Sequence, residues 1–379
     1  MKKQLSLRES IFMIAGGGIG AGILTIPFLM NKVGLVPTIF LLLFAYLLSA
    51  LVHTIVAELA INTNGLQMLS AFKEYLFTKK NTKVMTIIFF IIMSIMIFSN
   101  LSAYIIGGSE VLANILNVDI LYARFIFYMV SAVIVLLGLK TIAKSEIVSV
   151  SVIILITMVG FIISMGNINN YPNLVNGHYS NYLVIFSLLM FCFSSEFTAF
   201  QVGHYIEDKK NIKKAIFGGL LINMLVTIIL SLSIVYASKE VTEVGIVGWG
   251  DSVGGIVGVM SSIFVLIALI DSFWIMSYSM ANIVVDETKM GFNVSWIIAS
   301  LIPLLLTFLN DSGFMNYIKY ASGAFSIVII IMLIPTFIKV RKGKNNLKVL
   351  PNYVTSKVVI ILIIISYLLV AVGSLIEVV

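Results

Sequence analysis

The sequence has few of the residues from which soluble proteins build charged surfaces, disulfides and metal sites. Charged side chains make up only 11% of the chain, against about 25% in a typical soluble domain. The single cysteine, Cys192, excludes an intramolecular disulfide and any metal site built from several cysteines. The three histidines are isolated, and no cluster of histidine, cysteine and carboxylate residues has metal-ligand spacing. No nucleophile and base with the spacing of an enzyme family is found, so we expect the chain not to be an enzyme.

Apolar residues, in contrast, account for 60% of the chain. No soluble fold can bury so large a share, so lipid must be the solvent for most of it. Eleven apolar runs approach or exceed the roughly 20 residues that cross a hydrocarbon core. We therefore predict an all-α polytopic membrane protein, with residues 1–379 forming one membrane domain. The predicted spans lie near residues 9–30, 35–60, 84–113, 121–139, 145–166, 182–205, 213–237, 253–285, 292–309, 317–338 and 356–377.

The basic residues support this number of spans and give the chain an orientation. If the chain crosses the membrane at each run, all but four of its 24 lysines and arginines lie on the side of the N-terminus. The exceptions are Lys32, Arg124, Lys239 and Lys319. The positive-inside rule then places the N-terminus in the cytoplasm and the C-terminus outside the cell membrane. Because the positive charge is divided among short loops, it indicates no nucleic-acid partner.

The segment AGGGIGAGILTIPF, residues 15–28, places five glycines in the first span. Each glycine weakens a helix by about 1 kcal/mol relative to alanine. The spacing GxGxxA also occurs in dinucleotide-binding loops, but those follow a strand, and a membrane span excludes that context. One remaining interpretation is close helix packing, because the pairs Gly16/Gly20 and Gly18/Gly22 have GxxxG spacing.

The other interpretation is that this helix is broken. Pro27 removes one backbone hydrogen bond and clashes with the preceding turn. Backbone groups freed in lipid cost several kcal/mol each unless they face a cavity, a ligand or an ion. Secondary transporters use such discontinuous helices, with the N-termini of half-helices aimed at an anionic substrate group and free carbonyls at a cation. A broken first span therefore indicates a transport site.

The LeuT fold is the template for this arrangement, and it demands a second break in the sixth span. It predicts two inverted repeats of five helices, near residues 9–166 and 182–338, with one extra helix near 356–377. The sixth span contains the polar interruption FSSEF, from Phe193 to Phe197, at its middle. This interruption has no glycine, so the alternative is that Ser194 and Ser195 bond back to the preceding turn and only bend a continuous helix.

Three segments resemble the amino acid/auxin permease family of the amino acid–polyamine–organocation superfamily. They are GGGIGAGILTIPF at residues 16–28, EDKKNIKKAI at 207–216 and LIALIDSFWIMSYSMAN at 266–282. The resemblance implies a secondary active transporter with the LeuT fold that imports a neutral or aromatic amino acid. It covers the first, sixth and eighth spans and one loop, so it does not identify the substrate.

The resemblance also implies where the amino acid binds. Its carboxylate would meet backbone N–H groups at the first break, its ammonium would meet carbonyls at the second, and its side chain would point toward the third, sixth and eighth spans. One of Phe193 and Phe197 would act as a gate. The expected substrate-binding residues are Gly18, Gly20, Ala21, Gly22, Asn100, Tyr104, Phe193, Ser194, Ser195, Glu196 and Phe197.

A coupling ion is the only cofactor that we expect. By the same resemblance, the carbonyls of Gly16 and Ile19 and the hydroxyl of Ser272 would hold Na⁺, with Asp271 beside them. Intramembrane carboxyl groups are costly and indicate function, so Asp271 or Glu196 could instead carry a proton. The lysine that replaces sodium in the fifth span of some superfamily members is absent here. The sequence leaves Na⁺ and H⁺ both open.

Two other functions remain open. A transporter-shaped receptor, similar to the membrane subunits of bacterial spore-germination receptors, would bind an amino acid without net transport. A channel or passive uniporter would transport without coupling. The sequence gives neither the particular amino acid nor the oligomeric state.

Overall fold

A computed structural model describes residues 4–63, 66–77, 82–309, 326, 328–343 and 346–377. Over these residues the chain is helical, and its one strand-like contact is a backbone bridge between Leu5 and Ile206. The all-α prediction is therefore confirmed. The helices are α1 (Leu7–Gly18), α2 (Ile26–Val33), α3 (Leu35–Ile61), α4 (Met68–Leu76), α5 (Thr82–Leu116), α6 (Ile120–Leu136), α7 (Leu139–Met165), α8 (Tyr179–Cys192), α9 (Glu196–Tyr205), α10 (Ile212–Ala237), α11 (Gly245–Val253), α12 (Gly255–Thr288), α13 (Phe292–Leu309), α14 (Ile334–Val340) and α15 (Lys357–Gly373).

The first predicted span is interrupted near its centre. α1 ends at Gly18, one 3-10 turn covers Ala21–Leu24, and α2 begins at Ile26. Gly20, between the helices, is extended, with φ −134° and ψ −150°. Pro27 lies in the first turn of α2, where the N–H that it lacks would have no helical partner. The broken-helix interpretation is confirmed, and GxxxG packing of an intact helix does not describe this segment.

The sixth predicted span is also interrupted. α8 ends at Cys192 and α9 begins at Glu196. The hydroxyl of Ser195 donates to the carbonyl oxygen of Ile14 in α1, at 2.9 Å. The hydroxyl of Ser194 donates to the carboxylate of Glu196, also at 2.9 Å. Since neither hydroxyl bonds back to the preceding turn, the alternative of a bent but continuous helix is wrong.

Seven helical segments of the described chain are long and apolar enough to cross a membrane. They are Leu35–Ile61, Thr82–Leu116, Leu139–Met165, Tyr179–Tyr205, Lys209–Ala237, Gly255–Thr288 and Phe292–Leu309. Shorter apolar helices, Ile120–Leu136, Ile329–Val340 and Lys357–Gly373, fall on the fourth, tenth and eleventh predicted spans. Much of the tenth predicted span, 317–338, lies outside the described residues, as do the basic residues Lys2, Lys3, Lys79, Lys80, Lys319 and Lys344.

Close contacts at small residues fix the two broken spans against their neighbours. A Cβ atom at Gly219 in α10 would lie 2.5 Å from the Cβ of Ile14 in α1. One at Gly203 in α9 would lie 2.6 Å from the carbonyl oxygen of Ala57 in α3. In lipid, where apolar burial drives little association, such close approach is a main source of helix packing. α1 is thereby held on α10, and α9 on α3.

A buried ion pair lies at one end of α3. Glu58 is fully buried, and its carboxylate accepts hydrogen bonds from Nε and Nη2 of Arg341, at 2.6 and 2.8 Å. The backbone N–H groups of Val349 and Leu350 donate to the same carboxylate, at 2.9 and 2.8 Å. The pair therefore ties α3 to the connection that follows α14.

Replacing Arg341 by methionine should destabilise the protein strongly, because Glu58 would remain buried without its counter-charge. Loss of one partner of such a pair typically costs about 3–5 kcal/mol. The measurement is thermal unfolding of the purified protein. The double variant Arg341→Met with Glu58→Gln is the control, and it should recover part of the lost stability. Equal unfolding temperatures for Arg341→Met and the unmodified chain would show that the pair contributes nothing.

Candidate functional site

The first break lines a small central cavity of about 10 Å³, roughly the space that one water molecule needs. Seven of the predicted site residues meet there: Gly18, Gly20, Ala21, Gly22, Tyr104, Ser194 and Ser272. Gly17, Phe191 and Met276 complete the lining. The two breaks are therefore adjacent, and the third and eighth predicted spans, α5 and α12, each contribute side chains.

Gly20 lies against two hydroxyl-bearing side chains. A Cβ atom at Gly20 would lie 2.6 Å from Oγ of Ser272 and 3.9 Å from the hydroxyl oxygen of Tyr104. The N–H of Gly20 donates to the carbonyl oxygen of Gly18, at 2.9 Å. The N–H of Gly20 therefore already has an acceptor within the break and is not free to bind the substrate carboxylate. The absence of a side chain at Gly20 leaves room beside Ser272.

Side chains from two other helices form hydrogen bonds with the backbone of the second break. His53 in α3 accepts a hydrogen bond from the N–H of Ser195 at Nε2, at 2.9 Å, and its Nδ1 contacts the carbonyl oxygen of Ser49, at 2.6 Å. Asn223 in α10 donates to the carbonyl oxygen of Cys192, at 2.7 Å. These bonds give partners to one N–H group and one carbonyl group that an interrupted helix would otherwise leave unpaired in lipid.

Other predicted substrate-binding residues lie behind the cavity wall. Phe193 is fully buried, and its ring contacts Tyr46 in α3 with centroids 6.3 Å apart. Glu196 accepts a hydrogen bond from Ser194 and is 3% exposed. Asn100 donates to the carbonyl oxygen of Met96 in its own helix, at 3.3 Å. Ser195 and Phe197 are buried and, like these three, are absent from the cavity lining, where the aromatic side chains are those of Tyr104 and Phe191.

Two buried carboxyl groups lie where α1, α7 and α12 meet. Asp271 in α12 is fully buried, Glu146 in α7 is 1% exposed, and their charges interact. The carboxyl group of Glu146 fills the place that a side chain on Gly16 would take. Ser149 lies beside Asp271, but its hydroxyl donates to the carbonyl oxygen of Ser145, at 2.9 Å. Within the described chain, no residue donates a well-formed hydrogen bond to either carboxyl group.

Three of the four ion-coupling residues predicted from the sequence, Gly16, Asp271 and Ser272, lie at or beside this pair. Gly16 contacts Glu146, Ser272 follows Asp271 in α12 and faces Gly20, and Ile19 is the fully buried residue at the end of α1. These positions put two carboxyl groups, one hydroxyl and the backbone of the first break at one helix junction.

Sequence reasoning missed Glu146, His53 and Asn223 as parts of the site. The fifth span was predicted to start at residue 145, which put Glu146 at a membrane edge, but α7 begins at Leu139 and buries it two turns inside. A carboxyl residue within an extended apolar run was the available signal. His53 and Asn223 gave no comparable signal, because their partners are backbone atoms of other helices.

The structure is similar to those of three kinds of transporter. The nucleobase-cation-symport-1 family transporter Mhp1, solved with bromovinylhydantoin bound, has a TM-score of 0.73 at 12% identity, covering 98% of this chain and 91% of Mhp1. MhsT in complex with L-phenylalanine has a TM-score of 0.70 at 14% identity, covering 99% and 100%. A manganese transporter from Eremococcus coleocola has a TM-score of 0.67 at 16% identity, covering 97% and 85%.

Mhp1 and MhsT are LeuT-fold transporters, so the prediction of a LeuT fold is confirmed, whereas the number of eleven spans stays a prediction. No curated protein matches the sequence at a significant level. The model of the tryptophan/tyrosine permease family matches residues 3–373, nearly the whole chain. The chain belongs to the tryptophan/tyrosine permease family and is a multi-pass membrane transporter with the LeuT fold.

Proposed function

We propose that this permease imports an aromatic amino acid by secondary active transport, coupled to a gradient of Na⁺ or H⁺. The observation that carries the proposal is the meeting of two helix breaks at one cavity. Its described lining consists of backbone, hydroxyl, thioether and aromatic groups and includes no charged side chain. A zwitterion with an uncharged side chain fits such a lining, because backbone N–H and C=O groups can pair both of its charges.

The α-carboxylate is assigned to the N–H groups of Ala21 and Gly22, where the chain turns between α1 and α2. The ammonium group is assigned to carbonyl oxygens near Phe193 and Ser194, where α8 has ended. The carbonyl oxygen of Cys192, one residue earlier, already accepts the amide of Asn223. We therefore assign the ammonium group to the carbonyl oxygens of the residues that follow Cys192.

The substrate side chain would contact Tyr104, Phe191 and Met276. Aromatic rings stack on or meet edges of other rings, and methionine makes favourable contacts with ring edges. The family is described as tryptophan/tyrosine permeases, and MhsT was solved with L-phenylalanine. Both descriptions support an aromatic substrate over a small aliphatic one.

The structure corresponds to a closed state of this cycle. A cavity of about 10 Å³ cannot hold an amino acid, so substrate binding must be accompanied by movement of the surrounding helices. A second cavity of about 470 Å³ lies among α5, α11 and α12 and is lined partly by Asn114, Asp251 and Ser261. In the predicted orientation it opens to the outside, and it would serve as the approach to the central site.

The coupling cation is assigned to the junction of α1, α7 and α12. Asp271 and Glu146 are the acidic groups there. None of the ion pairs in the described part of the chain involves either of them, so neither is paired with a basic side chain. The carbonyls of Gly16 and Ile19 and the hydroxyl of Ser272 complete the candidate ion site. Two buried carboxyl groups suit either a bound Na⁺ or a shared proton, so the experiment must distinguish the two ions.

The function is tested by uptake of labelled tryptophan and tyrosine into proteoliposomes, with a Na⁺ gradient or a pH gradient imposed separately. We expect accumulation above the external concentration with one of the gradients and its loss when that gradient is collapsed. Equilibration without accumulation under either gradient would indicate a uniporter. Binding of the amino acids without any uptake would indicate a receptor.

The variant Gly20→Ala should weaken binding of the transported amino acid by about tenfold or more, because a methyl group 2.6 Å from Oγ of Ser272 must displace that side chain. In a Ser272→Ala background the same change should cost much less, since the next contact is 3.5 Å away. Gly218→Ala in α10 is the matched control, with its nearest contact at 3.5 Å. Binding is measured by ligand-induced thermal shift. Unchanged affinity in Gly20→Ala would restrict this glycine to helix packing.

A further inference from the structure

His53 can form its hydrogen bond with the backbone of the second break in only one protonation state. Its Nδ1 lies 2.6 Å from the carbonyl oxygen of Ser49, which can only accept, so Nδ1 carries a hydrogen. Its Nε2 accepts the N–H of Ser195, at 2.9 Å, so Nε2 carries none. The ring is therefore neutral, and it is fully buried between α3 and the break.

A proton on Nε2 is incompatible with this arrangement. The N–H of Ser195 would then face another N–H, and α9 would lose that bond at its start, where the side chain of Ser195 provides no cap. Two acceptors lie beside Nε2: Oε1 of Glu196, at 3.9 Å, and the carbonyl oxygen of Phe193. Protonation would thus break the bond from Ser195 and pair Nε2 with Glu196, the charged acceptor, in preference to the carbonyl oxygen of Phe193, because charge-assisted hydrogen bonds are the stronger ones.

The other ionisable groups near the break are less well placed than His53 and Glu196 to bind that proton. Tyr46 in α3 donates to the carbonyl oxygen of Phe217, at 3.3 Å. Tyr367 in α15 lies close enough to interact with the charge of Glu196. Cys192 at the end of α8 is a buried thiol. His204, at the far end of α9, contacts the carbonyl oxygen of Leu66, at 2.8 Å.

The charged groups on the helices packed against α3 are paired or exposed elsewhere. Arg341 pairs with Glu58, and Lys73 in α4 pairs with Glu287. The remaining lysines lie at helix ends, namely Lys32 in the last turn of α2, the exposed Lys213 and Lys214 in the first turn of α10 and the exposed Lys339 in the last turn of α14. Of the described carboxyl groups, Glu196 is the one that the structure places against the His53 ring.

We propose that His53 is a proton-binding site that opens the break in the sixth span, with Glu196 as the counter-ion of the protonated ring. The proposal rests on the proposed function, because it assigns the break to substrate binding. Glu196 accepts its present hydrogen bond from Ser194, and Ser194 lines the central cavity. Ser194 donates to Oε2 while Oε1 faces the ring, so drawing the carboxylate toward the protonated ring weakens the bond from Ser194 and frees the N–H of Ser195. Proton and substrate then favour the same open state, so each raises the affinity for the other.

The first test requires no substrate, because Cys192 is the chain's single cysteine and ends α8 at the break. Alkylation of Cys192 by a small maleimide is timed between about pH 8 and about pH 4, a range that extends below the one over which exposed histidines commonly titrate. Acid slows alkylation of every thiol, so the informative quantity is the rate in the unmodified protein divided by that in His53→Gln. Glutamine can still accept the N–H of Ser195 but takes up no proton. We expect this ratio to rise at least about fivefold as the pH falls.

The second test measures affinity for tryptophan and tyrosine over the same pH range. In the unmodified protein the affinity should rise on acidification, and in His53→Gln this rise should be smaller by the contribution of His53, leaving only the pH dependence that Asp271 and Glu146 supply. Glu196→Gln should need a lower pH for the same gain, because it removes the counter-ion. His204→Gln, at the other end of α9, is the matched control and should behave as the unmodified protein.

A constant alkylation ratio, or the same pH dependence of affinity in His53→Gln as in the unmodified protein, would overturn the proposal. If neither amino acid binds but the alkylation ratio still rises in acid, the proton site stands and the proposed substrate does not. Gel filtration and thermal unfolding of each variant separate these outcomes from loss of the fold.

Discussion

The structure depends on one constraint: a backbone N–H or C=O group in the membrane interior must have a partner. Continuous helices meet this constraint by themselves, and most of this chain does so. Two segments of the described chain do not, and they lie side by side at the centre of the bundle. The first is broken by glycines with Pro27 just beyond them, and the second at a polar stretch without glycine. In the proposed function, the same breaks that expose the backbone provide the groups that bind the substrate.

The second break persists because other helices satisfy it. His53 pairs an N–H group, Asn223 pairs a carbonyl, and Ser195 reaches from the break to the backbone of α1. The breaks are thereby joined to one another and to α3 and α10, so a change at either break is transmitted to several helices. A transporter needs this coupling, because its site must rearrange between states in which it faces opposite sides of the membrane. The cavity between the breaks is small, so the helices around them are closely packed in this arrangement.

The sequence was sufficient to predict features that depend on local composition. Apolar runs predicted the membrane spans, the glycines with Pro27 predicted the first break, and the polar stretch around Ser194 predicted the second. Contacts between distant residues could not be predicted in this way. The pairing of Glu58 with Arg341, the position of Glu146 against Gly16 and the bond from His53 to Ser195 each join different helices. Hydropathy and spacing indicate how deep in the membrane a residue lies, but not which residues it contacts. Because the predicted fifth span began about two turns after the true start of α7, Glu146 was placed at the membrane edge and not in the interior.

If the backbone of both breaks binds the substrate, amide hydrogen exchange at the breaks must respond to it. Exchange is measured by mass spectrometry on the purified protein with and without saturating tryptophan or tyrosine. We expect slower exchange in peptides that cover residues 18–26 and 192–197, with no change in peptides from α15. Slower exchange elsewhere, with both breaks unaffected by a bound amino acid, would show that the breaks do not bind it.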